Sequence, residues 1–474
     1  MKKTVLSLLV GLSISANAMA DDLLQVYQQA IENDPVVNRA KADRDAAFEG
    51  ISISRANLLP QLSANIGYTM ATRDDTNPEF TDVVDEQGNP VLDENGDQVQ
   101  VFSGFQVFEN ETETLSMGAN LSMSLYDHAN WLGLDRAELV AQQSEANYSA
   151  ELQRLITRTV SAYLAVLRAK DNVEFVRAEK RAIERQLEQT KQRFEVGLTA
   201  ITDVHEAQAN FDNTVAQEIR AENQLELRLE ELREITGKYH DKLYVLDTEK
   251  FSAPRPSPDS AREWLEIAEE SNLDLLVQRF AKDIAMEDVD IATSGHYPTL
   301  SLNGSYGRTD TTVVGGGAGG SDLDIPALNN QSIGIRLDVP IYQGGSVSAR
   351  TDQARYRYVA ASETLELTYR QTVRSVRSSY NDVIASISTI RAFEQAVVSA
   401  QSALEATEAG FKVGTRTIVD VLNSTRNLFD ARRNLAGARY DFIQAIVSLK
   451  QAAGTLTRSD VESINRALSP EAAE

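Results

Sequence analysis

The chain has 474 residues, with 70 acidic against 46 basic side chains and a formal charge of −24. That excess of acid excludes a general nucleic-acid binder, because phosphate backbones are held by surplus Lys and Arg. With no cysteine there is no disulfide scaffold, thiolate zinc site, cysteine nucleophile or lipidated N-terminal Cys. The 25 glycines and 11 prolines are few enough to favour long uninterrupted elements.

Residues 1–20 read as a secretory leader. Lys2 and Lys3 precede an apolar run from Val5 to Ile14, and Ala18-Met19-Ala20 supplies the small-x-small cleavage pattern before Asp21. A first repeat then occupies 21–238, opening with a helix. The alternation Leu62, Ala64, Ile66, Tyr68, Met70 predicts a strand at 61–70, and that of Leu115, Met117, Ala119, Leu121, Met123, Leu125 a strand at 115–126. Between them 71–114 reads as a loop; its stretch Thr72 to Glu113 holds 12 acids and one base, Arg73. Asp93-Glu94-Asn95-Gly96-Asp97 hints at a calcium loop, but the glycine is misplaced and no Glu stands at the twelfth position. From Asp127 to Gly237 the chain is helical in character, with Gly197 as its interior breaker. The proline-rich segment 239–260 is a linker.

The second repeat, 261–456, runs the same course: a helix, a strand at 299–307, a loop at 308–331, a strand at 332–342 and a long helical hairpin broken near Gly410 and Gly414. Gly315-x-Gly317-x-x-Gly320 satisfies a dinucleotide pattern, yet no helix starts there, so it reads as a flexible loop. Residues 457–474 form a C-terminal segment. The duplication is explicit. Phe194-x-Val196-Gly197 through Asp203-Val204 matches Phe411-x-Val413-Gly414 through Asp420-Val421 at an offset of 217, and Pro60-x-Leu62-Ser63 matches Pro298-x-Leu300-Ser301 at 238. Val421, Leu428, Leu435, Phe442 and Leu449 are spaced by seven, as are Val204, Phe211, Leu225 and Leu232 with one gap, which is a coiled-coil seam.

Four alternating strands suit an outer-membrane sheet, apolar outside and polar within. An open edge in lipid leaves backbone groups unpaired, so one chain cannot close such a sheet. Three chains would give 12 strands; two would give eight. The four histidines lack ligand spacing, no nucleophile elbow occurs and no cofactor motif holds up, so no enzyme is expected.

These features resemble the TolC-like outer-membrane channel-tunnels of Gram-negative export systems. The likeness runs from Val26-Tyr27-Gln28-Gln29-Ala30 to Gly454-Thr455-Leu456, and is densest at Ala46-Ala47-Phe48-Glu49, Leu59-Pro60-Gln61-Leu62, Pro340-Ile341-Tyr342-Gln343-Gly344-Gly345 and Val413 to Leu422. The resemblance implies an α+β membrane protein: four transmembrane β-strands per chain completing a 12-stranded trimeric barrel, continued by a long α-helical coiled-coil barrel with a small mixed α/β equatorial domain. It implies an outer-membrane exit duct crossing the periplasm, serving efflux of small molecules and type I secretion of proteins. Its partners would be two further copies, a periplasmic adaptor (membrane fusion protein), an inner-membrane transporter of RND, ABC or MFS type, and outer-membrane lipid. A coiled-coil scaffold without a pore is the alternative reading.

Carried over by the same resemblance, Thr202, Asp203, Arg416, Gln186 and Glu408 would link neighbouring coils at a periplasmic gate. Phe411 stands where the family often has Tyr, which removes a hydroxyl link to Asp203. Asp420 would line the entrance constriction, with Asn423 where a second Asp is common. The turns Val196-Gly197-Leu198 and Val413-Gly414-Thr415 would dock the adaptor.

Overall fold

The computed structural model describes residues 21–93, 95–240, 242–315 and 321–470. The leader therefore lies outside the described residues, as do Glu94 of the calcium-like stretch, the centre of the glycine-rich loop and the last four residues of the C-terminal segment. In chain order the elements are α1 (Leu23–Asn33), α2 (Pro35–Ala56), β1 (Gln61–Asp82), β2 (Gln100–Tyr126), α3 (His128–Glu195), α4 (Ile201–Thr236), β3 (Val245–Leu246), α5 (Ala261–Ser271), α6 (Leu273–Ser294), β4 (Thr299–Val314), β5 (Leu323–Asp338), α7 (Ser346–Lys412), α8 (Ile418–Ala452), α9 (Arg458–Asn465) and β6 (Leu468–Ser469). They divide into two units: 21–48, 138–285 and 356–470 form the first, and 49–137 with 286–355 form the second.

The second unit holds one antiparallel sheet in the order β1-β2-β4-β5. Its register aligns the apolar face across strands: Leu62 faces Leu121, Leu121 faces Gly304, and Gly304 faces Ile333. Leu62 and Ile66 are each 76% exposed and Ile333 78%. The run from Leu62 to Met70 is about 27 Å long at 3.4 Å per residue, close to the ~25 Å band of outer-membrane strands. Among the described residues no helix is long and apolar enough to cross a membrane.

Strand limits differ from those the alternation predicts. β1 runs on to Asp82 and β2 starts at Gln100, so most of 71–114 is a β-ribbon. The ribbon carries Thr, Val and Phe in register while both its faces meet solvent, which erases the two-residue hydropathy signal. A bulge between Glu79 and Phe80 lets Phe102 stack edge-on against both Phe80 and Phe105, at 6.0 and 5.1 Å between centroids. β4 and β5 likewise extend into the expected loop 308–331. β5 ends at Asp338 rather than 342, because Pro340 has no N–H for a ladder. In the calcium-like stretch, Oδ1 of Asp93 accepts the N–H groups of Asn95 and Asp97 at 2.9 and 3.0 Å. It is an Asx turn.

In the first unit a core of buried side chains from α1, α3, α4 and α8 packs with α9 and the two-stranded sheet β3-β6. Tyr163 is fully buried and its hydroxyl donates to the Tyr244 carbonyl at 2.8 Å. The duplication reappears in the caps. Asp34 accepts the Val37 N–H at 2.9 Å to start α2, and Asn272, 238 residues on, accepts the Leu275 N–H at 2.9 Å to start α6. The seven-residue seam of α8 is buried at Val421, Leu428, Phe442 and Leu449. That of α4 is buried at Leu232, while Val204, Phe211 and Leu225 are half-buried.

Candidate functional site at the hairpin tips

α3 and α4 form one helical hairpin, α7 and α8 the other. Both turns are closed by a glycine in the left-handed region, Gly197 at φ 75° and Gly414 at φ 79°. Around Gly197 the Leu198 N–H donates to the Arg193 carbonyl at 2.8 Å and the Gly197 N–H to that of Phe194 at 2.9 Å. Around Gly414 the Thr415 N–H donates to Gly410 at 2.9 Å and the Gly414 N–H to Phe411 at 3.2 Å. Each pair of bonds satisfies carbonyls the ending helix leaves free, in the Schellman arrangement.

The second helix of each hairpin starts differently. Thr417 and Asp420 form a reciprocal capping box: Asp420 Oδ2 accepts the Thr417 N–H at 2.9 Å and its hydroxyl at 3.0 Å. The Thr417 N–H, then its hydroxyl, hold the Asp420 carboxyl below the usual carboxylate range, and Arg416 adds to the effect. In α4 the N-cap is Ala200, which has no side-chain bond to give; Asp203 instead accepts the Thr199 hydroxyl.

Three of the expected gate residues share one cleft. Gln186, Glu408 and Phe411 line a space of about 680 Å³ together with Arg193, Val196 and Leu404. Nε2 of Gln186 is buried without a hydrogen-bond partner. Thr202 is exposed at the start of α4, and Arg416 is exposed with its stem laid over Gly410, where an added Cβ would sit 2.8 Å from Arg416 Cγ. Among the described residues no ion pair joins Arg416 to Asp203 within the chain. Asn423 is exposed one turn beyond Asp420. The docking turns present apolar side chains to solvent: Val196 is 71% exposed, Leu198 68% and Val413 76%. Gly197, Gly414 and Thr415 complete those turns.

Two residue pairs at the tips were not foreseen. The Arg193 guanidinium lies over the Phe411 ring, 4.7 Å from its centroid, and Arg426 Nη2 donates to Asn210 Oδ1 at 2.8 Å. Partners 218 and 216 residues apart leave no periodic trace; the signal available was that Arg193 and Phe411 occupy the same turn of two matched helices. Below the tips Ile183, Ile418 and Leu422, with Phe211 and Phe411, join all four helices in one apolar cluster. No group of three or more metal-ligating side chains occurs among the described residues.

The family model described as Outer membrane efflux protein matches residues 26–238 and 264–455. The chain is 45% identical to Outer membrane protein TolC of Vibrio cholerae serotype O1 over 456 residues, 96% of each chain. It is 42% identical to Outer membrane protein TolC of Escherichia coli K12, over 98% of this chain and 90% of that one. It is 30% identical to the alkaline protease secretion protein AprF of Pseudomonas aeruginosa, over 95% and 88%. Among solved structures, the Campylobacter jejuni CmeC outer membrane channel superposes with a TM-score of 0.71 at 18% identity, covering 95% of this chain and 90% of that one. VceC of Vibrio cholerae gives 0.69 at 18%, covering 91% and 96%. These relatives are channel and secretion proteins, not enzymes. The chain belongs to the outer membrane efflux protein family and is an outer-membrane exit duct.

Proposed function

We propose that three copies close the four-stranded sheet into a 12-stranded barrel, and that the two hairpin tips of each copy form a ring of six at the periplasmic mouth. The observation that carries this is the sheet itself. β1 and β5 are edge strands with unpaired backbone on one side, which in lipid must be resolved by closure, and their apolar side chains Leu62, Ile66, Ile333 and Ile335 are exposed, as a lipid-facing surface requires. A duct of this kind holds its mouth shut through contacts among the tips. Arg416 would pair with Asp203 and Thr202 of an adjacent coil, and Gln186 with Glu408, by charge-assisted bonds that break near water at small cost. Asp420 would ring the constriction, with Asn423 beside it. The exposed Val196, Leu198, Val413 and Thr415 would seat the tip of a periplasmic adaptor that brings an inner-membrane transporter, of RND, ABC or MFS type. The duct would serve small-molecule efflux and, as the protease-secretion relatives suggest, type I export of proteins. The leader 1–20, the linker 239–260 and the repeat limits 21–238 and 261–456 belong to this reading.

Single-channel conductance of the purified protein in a planar bilayer tests it. Small, infrequent openings that grow in Arg416→Ser are expected. An absence of conductance in both would favour a scaffold without a pore.

A further inference from the structure

We propose that Arg193 and Phe411 form a strap that holds the α3/α4 hairpin against the α7/α8 hairpin inside one chain, assisted by Arg426 on Asn210, and that the strap must part for the mouth to open. The inference rests on the gate reading above and assigns a residue, Arg193, that the gate set lacks.

The geometry is specific. Arg193 sits in the last turn of α3, and its carbonyl anchors the Schellman turn at Leu198. Phe411 sits in the last turn of α7, and its carbonyl anchors the turn at Gly414. The guanidinium stands 4.7 Å from the ring centroid, within the range where the negative face of an aromatic ring attracts a cation. No acid pairs with Arg193 among the described residues, and its Nε is buried without a partner. The cation is thus directed at the ring rather than at a carboxylate. The Arg426 to Asn210 bond separately joins α8 to α4 at 2.8 Å. Beside the apolar cluster, two polar contacts tie the hairpins: α3 to α7 by the ring contact and α4 to α8 by the hydrogen bond.

A contact of this kind suits a movable joint. It is weak enough to break under a docking partner, and it leaves no buried carboxylate behind when it does. It also gives Phe411 a function without a hydroxyl: the ring receives a cation instead of donating a hydrogen bond.

Arg193→Gln, Phe411→Leu, the double variant and Arg193→Lys are compared with wild type in planar bilayers, with far-UV circular dichroism and melting curves confirming that each is folded. The expected result is a several-fold rise in resting conductance for either single variant, little further rise for the double, and a smaller rise for Arg193→Lys, which keeps a cation but loses the planar fork. Resting conductance of Arg193→Gln equal to wild type, or single effects that simply add, overturns the strap. A second readout does not depend on conduction. Because the chain has no cysteine, spin labels at Ala209→Cys on α4 and Asn427→Cys on α8 report the spacing of the hairpins. Longer or broader distances in Arg193→Gln support the strap, and unchanged distances overturn it even in a protein that forms no pore; loss of conductance in every variant including wild type counts against the gate reading instead.

Discussion

The Tyr440 hydroxyl donates a 2.6 Å hydrogen bond to Oδ2 of Asp171, tying α8 to α3. Burial pushes the Asp171 carboxyl up to about 6, against the pull of the Tyr440 bond; Glu174 raises it further, while Lys170 and Arg439 lower it. From the ordinary value of 3.8 up to about 6 the folded chain keeps a proton that the unfolded chain has released, so this group costs stability as pH rises through that window. A shift of two pK units corresponds to about 3 kcal/mol. Asp171→Asn should therefore melt above wild type at pH 7 and level with it near pH 4. Calorimetry across that range decides the matter; an equal gap at both ends would show that the side chain's packing, not its charge, sets the difference.

Asp420 helps cap α8, and in the proposed duct it would also present charge to the mouth; the two duties can be separated. Asp420→Asn should reduce block of the channel by a trivalent cation, while its amide oxygen still accepts the Thr417 N–H and the cap is largely kept. Thr417→Ala removes the cap from the other side and leaves the carboxylate in place. Block that persists in Thr417→Ala but weakens in Asp420→Asn assigns the cation site to the carboxylate, and equal inhibition of wild type and Asp420→Asn removes it from the constriction.

The glycines that close the helices are not equivalent. Gly197 and Gly454 share the left-handed conformation, but a Cβ at Gly197 meets open space while one at Gly454 would lie 2.2 Å from the Ser271 carbonyl oxygen. Gly197→Ala should cost only the backbone strain of about 1–2 kcal/mol. Gly454→Ala should cost clearly more, since the α8 terminus must move off Ser271. Urea unfolding of the two variants side by side would expose the contrast; similar midpoints would mean that the α8 end yields freely.

The helical part of the fold was legible because its signals are local and repeated. Seven-residue spacing, glycine at both turns and the offset of 217 between halves locate the hairpins to within a residue or two. The strands were legible only where one face is apolar. Beyond Met70 and before Glu113 the ribbon is polar or mixed on both faces, and an acid-rich stretch reads as a loop whether or not its backbone is paired. At the tips, the chemistry of single residues was visible but their pairing was not. Asp420 reads from the sequence as a mouth carboxylate and turns out to be held in a cap by Thr417. Arg193 shares a matched turn with Phe411 in the sequence, but only the fold sets its guanidinium on the ring.

The two halves of the duplication differ in length, and the difference is unevenly distributed. α3 has 68 residues and α7 has 67, α4 has 36 and α8 has 35, whereas β1 and β2 have 22 and 27 against 16 each for β4 and β5. Each residue inserted into one long helix would carry its turn forward by about 1.5 Å and around by about 100°, sweeping Arg193 away from Phe411 and the two apolar seams out of phase. A residue inserted at the outer end of the β1–β2 ribbon disturbs nothing beneath it. The helical hairpins are thus held to a common length, and the ribbon is not. Sequence drift can lengthen, shorten or recharge the ribbon, while the helices keep a common measure because the contacts at their turns depend on it.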